Sequence, residues 1–285
     1  MRQILFTIPV LNLPIHGYGA MLVLAFASAM WLGAWRARRE KLDPELVLDM
    51  AFWIFAGGLI GARLFYVIQY RDAFHDPLDA FKFWNGGIVY YGGVIGGVTA
   101  FLLYRRFNPF PIRPYLDALA PSVMIGTVFG RLGCFLNGCC FGDVCHSALG
   151  VRFPSPTDPW ASQVRNGLIP PSATFSLPVH PTQLYSSFDA LVLLLLLTAF
   201  FPLRRRDGEV AGLLMIVYPI TRFLTEFVRN DEGIFLAAMT ISQTISVGIL
   251  ACAGAYWWWL STLPKLRYAD LPPAPAEAPA AASAS

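Results

Sequence analysis

Residues 182–202 read TQLYSSFDALVLLLLLTAFFP, and Leu203, Arg204, Arg205 and Arg206 follow at once. The stretch holds one charged residue, Asp189, and its polar groups, Gln183 and Tyr185, gather at the start. A helix rises about 1.5 Å per residue, so this block reaches the roughly 30 Å of a bilayer's hydrocarbon core. A barrel strand would need strict alternation of apolar and polar residues, which a run of five leucines excludes. Working outward, blocks of the same kind occupy approximately 12–34, 45–70, 87–104, 115–137, 209–228 and 241–260. The composition agrees. The 285 residues are 56% hydrophobic, 14% aromatic and 14% charged, with mean hydropathy +0.53. Soluble proteins carry about 25% charge, so a soluble surface cannot be covered. The sequence therefore predicts an all-α membrane protein with seven transmembrane helices in one domain, residues 1–268. An external loop spans 138–181, and a disordered Pro/Ala-rich tail spans 269–285. Gly92, Gly93, Gly96 and Gly97 suit close helix packing in the short third block. No internal repeat stands out. A net charge of +3 is too small to argue for nucleic acid.

The basic residues set the orientation. Arg36, Arg38, Arg39 and Lys41 follow the first block, and Arg105, Arg106 and Arg113 the third. Arg204, Arg205 and Arg206 follow the fifth, and Lys265 and Arg267 the seventh, which makes twelve on one side. The other side holds six: Arg2, Arg71, Lys82, Arg152, Arg165 and Arg229. The amino terminus is accordingly expected outside and the carboxyl terminus in the cytoplasm. AFASA at 25–29 could pass for a signal-peptide cleavage site, but the positive charge lies mainly after the apolar run rather than before it.

Three arginines remain, Arg63, Arg131 and Arg222, and all lie inside spans. An arginine at mid-helix costs about 2.5–3.5 kcal/mol even on lenient scales. They fall about 27, 24 and 20 Å above the cytoplasmic starts of their spans, in the outer half of the membrane. His16, Tyr18, Tyr90, Tyr91, His180, Gln183, Tyr185 and Gln243 are expected at the same level. One reading has the arginines snorkelling to the interface among an aromatic belt. The other is a cavity open to the outer leaflet, in which guanidinium groups bind a phospholipid headgroup bidentately.

The richest segment is Gly130 to Gly142, GRLGCFLNGCCFG. It resembles the signature of the phosphatidylglycerol–prolipoprotein diacylglyceryl transferase family, approximately G-R-x-G-N-F-x-N-x-E-x-x-G. Gly130, Arg131, Gly133, Phe135, Asn137 and Gly142 match, while Cys134 stands for the usual Asn and Cys139 for the usual Glu. The resemblance runs from about His16 to Leu250. Tyr18-Gly19 is similar to the family's first-span Y-G, and Gly61-Ala62-Arg63 to its second-span G-x-R. Trp84-Asn85-Gly86-Gly87 through Tyr91-Gly92-Gly93 resembles W-x-G-G…H-G-G, with Tyr91 for histidine. His180-Pro181-Thr182-Gln183-Leu184-Tyr185 resembles H-P-[ST]-Q-L-Y, with Ser186 where Glu is common. Arg222-Phe223, Glu226-Phe227 and Arg229 resemble R-F-x-x-E-F-x-R.

The resemblance implies an enzyme of the bacterial cytoplasmic (inner) membrane, with its active site toward the outer leaflet. It would transfer an sn-1,2-diacylglyceryl group from phosphatidylglycerol to the thiol of a prolipoprotein signal peptide's lipobox cysteine, the first step of lipoprotein maturation. Glycerol-1-phosphate leaves, and no metal or nucleotide cofactor is needed. Negative charge develops on the departing phosphate, where pre-placed guanidinium groups stabilise it. Arg131, Arg222 and Tyr91 are the candidate catalytic residues. Arg131, Tyr18, Asn137, Gly142, Arg63, Glu226 and Gln183 are the candidate lipid-binding ones. Glu226, four residues after Arg222 on one helix face, is placed to ion-pair with it. Tyr91 is a poor base beside a histidine, so it is expected to position the headgroup through its hydroxyl. A non-enzymatic lipid carrier or transporter, or a paralogue acting on another acceptor, stays open. A transporter should place polar residues across the full depth or show paired broken helices in two halves.

Cys252 reads as packing, Asp189 as a packed polar contact, and His75 and His146 as loop residues without partners. Cys139, Cys140, Cys145 and His146 fit no zinc spacing. A disulfide from Cys145 to Cys139 or Cys140 is the expected external feature.

Overall fold

The computed structural model describes residues 4–8, 13–71, 89–229, 234–236 and 239–272. Arg2, His75, Lys82, Trp84 to Gly87 and most of the expected tail, 273–285, lie outside the described residues. Helices dominate: α1 Gly17–Arg39, α2 Pro44–Gln69, α3 Tyr90–Phe107, α4 Ile112–Asn137, α5 Asp158–Arg165, α6 Thr182–Phe200, α7 Glu209–Glu226 and α8 Ile241–Thr262. Two antiparallel hairpins, β1 Ile4–Ile8 with β2 Leu13–His16 and β3 Ile234–Leu236 with β4 Met239–Thr240, precede α1 and α8. Neither hairpin is expected from the sequence. Pairing of β2 with β1 starts the first helix at Gly17 rather than near residue 12.

Among the described residues, five segments are long and apolar enough to cross a membrane: Gly17–Arg39, Pro44–Gln69, Ile112–Asn137, Thr182–Leu203 and Ile241–Thr262. The third and sixth expected blocks are helical as α3 and α7, at 18 residues each. Arg105 and Arg106 at the end of α3, and Glu209, Arg222 and Glu226 in α7, lower their hydropathy.

Local chemistry fixes the helix ends. Asp43 caps α2 by accepting from Glu45 N at 2.9 Å, and Pro44 at the first helical position has no N–H to leave unpaired. Thr240 and Gln243 close a reciprocal capping box on α8, in which Gln243 Oε1 accepts from Thr240 N at 3.1 Å. Gly138 ends α4 at φ +85°, donating to Cys134 O at 2.9 Å.

α4 is the central helix and packs on α1, α6 and α7; α8 lies on α7, and α2 and α3 pack on each other. Ala120, Met124, Leu193, Leu197, Phe201 and Val210 bring α4, α6 and α7 together in one core cluster. The α2–α3 seam is a glycine contact. A Cβ on Gly61 would collide with Gly92 O, and one on Gly96 with Gly57 O. Gly93 and Gly97 are less tight, their nearest atoms at 3.5 Å.

At the far end from Gly138, Arg204 is buried and pairs with Glu40 and, at 3.3 Å, with Asp117. The Asp117 carboxylate also accepts from Gly208 N (2.8 Å) and Ala211 N (2.9 Å), which fastens the first turn of α7 to α4. The chain stays docked past the expected start of the tail, because Tyr268 N donates to Asp207 at 2.6 Å and Lys41 Nζ to Ala269 O at 2.8 Å. The 138–181 connection is folded. Val151 and Val179 exchange both backbone bonds at 3.0 Å, Phe153 is fully buried, and Gln163 in α5 accepts from Leu177 N at 2.7 Å.

Candidate active site

Helical spacing assembles the site. Thr127 and Arg131 lie four apart on α4, Ser186 and Asp189 three apart on α6, and Tyr218, Arg222 and Thr225 share a face of α7. These seven residues line one narrow cleft where the three helices meet. Two of the three arginines that the sequence places inside apolar blocks, Arg131 and Arg222, are thus brought together. Glu226 side chain is buried and ion-pairs with Arg222, as the spacing suggests, and Arg222 Nη2 donates to Ser242 Oγ on α8 at 2.7 Å. Arg222 is therefore braced from its own helix and from α8. Arg131 is different. It is half-buried, and among the described residues none hydrogen-bonds or ion-pairs with its guanidinium.

Arg63 does not reach this cleft. It is 5% exposed on α2, with its guanidinium 5.4 Å from the Tyr66 ring centre. Tyr91 is exposed in the first turn of α3, and Tyr18 is exposed in the first turn of α1, with its ring against Gly133 of α4. His180 Nδ1 lies 3.3 Å from Tyr185 Oη. Asp189, read from the sequence as a packing contact, shares the cleft with both arginines. Its spacing from Ser186 puts both on one helix face, but no local sequence signal marks the helices that face them.

The turn after α4 forms the second half of the site. Gln183 is fully buried and donates from Nε2 to Cys139 O at 2.7 Å, while Thr182 Oγ1 donates to Cys140 O at 2.7 Å. The H-P-T-Q segment at the start of α6 thereby clamps two consecutive carbonyls of that turn. Gly142 donates to His180 O at 2.9 Å, and a Cβ there would lie 2.6 Å from Val228 O and 2.7 Å from Thr182 Cγ2. Gly142 permits close approach of the turn, α6 and the end of α7. Asn137 is exposed at the end of α4.

The cysteines depart from expectation. No disulfide is formed among them: Cys145 is buried and its thiol sits 3.1 Å from Ser147 Oγ, not against Cys139 or Cys140. The α4 terminus instead gathers Cys134, Cys139 and Cys140, whose sulfurs lie within 4.8 Å of one another. Cys140 has a positive φ of 59°, an uncommon conformation for a non-glycine residue. Its thiol is held well below the ordinary value by hydrogen bonds from the Cys134 and Cys139 thiols, and further by the Arg229 and Arg131 charges.

Residues 3–259 match the family model for prolipoprotein diacylglyceryl transferase. The phosphatidylglycerol–prolipoprotein diacylglyceryl transferase of Clostridium tetani is 31% identical over 247 residues, covering 87% of this chain and 93% of that protein. The protein of the same name from Vibrio cholerae is 36% identical over 258 residues, 86% of this chain and 88% of its own length. That of Methylibium petroleiphilum is 30% identical over 258 residues, 87% and 92% of the two chains. With the family model matched over residues 3–259 and relatives 30–36% identical over most of both chains, the chain belongs to the prolipoprotein diacylglyceryl transferase family.

Proposed function

We propose that this membrane protein transfers an sn-1,2-diacylglyceryl group from phosphatidylglycerol to the thiol of the lipobox cysteine of a prolipoprotein signal peptide. The observation that carries this reading is Arg131, a guanidinium that no described residue pairs with, beside the braced Arg222 in one cleft between α4, α6 and α7. Attack of the acceptor thiolate on the glyceryl carbon forms C–S and breaks C–O. The phosphodiester's single charge becomes the larger charge of a departing glycerol phosphate. Arg131 meets that charge with a planar fork, and Arg222 adds a second positive centre whose aim Glu226 and Ser242 fix. Tyr91 positions the headgroup from α3 through its hydroxyl. Tyr18, Asn137 and Arg63 flank the lipid's approach, while Gln183 and Gly142 hold the turn that borders it.

All seven long helices cross the inner membrane on this reading, with the amino terminus outside, the carboxyl terminus in the cytoplasm and the cleft toward the outer leaflet. The 18 residues of α3 and of α7 give about 27 Å each, close to the hydrocarbon thickness. The Arg222–Glu226 pair lowers the cost of charge in α7. The test is reconstitution with phosphatidylglycerol and a lipobox peptide, read by mass. A diacylglyceryl adduct on the cysteine peptide and none on its Cys→Ala counterpart is expected. No adduct under conditions in which a related transferase works would sink the reading.

A further inference from the structure

Cys134, Cys139 and Cys140 hold their three sulfurs within 4.8 Å of one another, and each residue is half-buried. A zinc-sized cation bound about 2.3 Å from each of three thiolates sets them roughly 4 Å apart, within that spread. The frame is fixed on every side. Cys134 belongs to the last turn of α4, Gly138 turns the chain back, and Gln183 and Thr182 grip the carbonyls of Cys139 and Cys140. Three thiolates and a divalent cation leave one net negative charge. Arg131 stands three residues before Cys134 on α4, so the cluster and the phosphate-binding cleft share a helix face. Soft thiolate sets select zinc-class ions over magnesium or calcium.

We propose that Cys134, Cys139 and Cys140 form a three-thiolate site for a zinc-class divalent cation, whose fourth position receives the acceptor cysteine's thiol. The second clause rests on the transferase reading. A thiol that coordinates such an ion is deprotonated outright, which supplies the step for which Tyr91 is ill suited. The acceptor's S–H proton passes to water as its sulfur binds. That sulfur's electron pair then attacks the glyceryl carbon, C–S forms, C–O breaks, and the C–O electron pair leaves on the glycerol phosphate toward Arg131. The thioether product is a weak ligand and departs.

Full-length protein in detergent, reduced and kept anaerobic, is titrated with Co(II) as zinc's spectroscopic surrogate. One equivalent should bind with a thiolate-to-metal charge-transfer band of three-sulfur intensity, and Zn(II) should displace it. C134S, C139S and C140S should each weaken binding by more than the roughly 10–100-fold that a lost outer-shell partner costs, while C145S and C252S should not change it. A lipobox peptide should raise the band by about one third, as a fourth thiolate adds to three, and its Cys→Ser form should not. If the serine variants fail to fold, alkylation mapping of the wild-type chain decides: Zn(II) should shield these three thiols and leave Cys252 reactive. No saturable binding, binding that survives all three variants, or alkylation unaffected by Zn(II) would overturn the site. A three-sulfur band deaf to the peptide would overturn its role with the acceptor. Transfer that proceeds without metal and survives C134S overturns the proposal but leaves the transferase reading intact. Metal binding with no transfer to any lipobox peptide does the reverse.

Discussion

Arg131 is half-buried with no counter-ion among the described residues, so its removal takes away charge stabilisation without stranding a partner acid. Arg131→Ala should lower turnover by about 10²–10³-fold, the cost of one pre-placed donor at a developing oxyanion. Arg131→Lys should rescue it poorly, because an ammonium lacks the bidentate fork. Both variants should melt close to wild type in detergent, and near-normal turnover in Arg131→Ala would place the phosphate elsewhere. Arg222 behaves differently because Glu226 is buried against it. Arg222→Ala leaves that carboxylate unpaired and should destabilise the fold by about 3–5 kcal/mol as well as reduce activity. Thermal melts beside kinetics separate these two losses. Tyr91→Phe should weaken turnover moderately and Tyr91→His should remain active. A Tyr91→Phe protein that binds lipid and folds normally yet transfers nothing would make the phenol itself the base.

The α2–α3 pair depends on backbone contact at Gly57, Gly61, Gly92 and Gly96, where an added side chain meets main chain rather than a flexible tip. Gly61→Val should separate the two helices at an overpacking cost of about 1–3 kcal/mol or more, seen as a lower melting temperature in detergent. Gly97→Ala should be far milder, since its nearest neighbours are at 3.5 Å. The glycine pattern of the third block was readable as close packing. Which of its members touch was not, because helix rotation is set by the partner α2. Gly142→Ala tests the other tight junction. A methyl there would press on Val228 O and Thr182, displacing the cysteine turn and lowering activity more than stability.

Across the whole molecule, the twelve-to-six division of basic residues predicts reporter fusions that read cytoplasmic after Arg206 and extracytoplasmic after Arg165. The opposite pair of signals would invert the protein. The same count misses that Arg204 is buried among Glu40, Asp117 and Asp207 and ties the α6–α7 connection to α4. Hydropathy of contiguous residues and short motifs are local properties, so the chain alone determined the seven long apolar blocks as helical, the polar ends of those blocks, the family pattern and the Arg222–Glu226 pairing one turn apart, but not the short α5. Contacts between helices distant in sequence carry no such local signal. Tertiary packing alone decided that Arg131 and Arg222 share a cleft with Asp189 while Arg63 stays on the α2 side. It also decided that Gln183 and Thr182 clamp the turn after α4, and that Cys134 joins Cys139 and Cys140 while Cys145 turns to Ser147. The physical reason is the left-handed turn at Gly138, which folds the chain back onto the helix it has just left and onto the first turn of α6, so that residues five and six apart meet where helical spacing would have separated them.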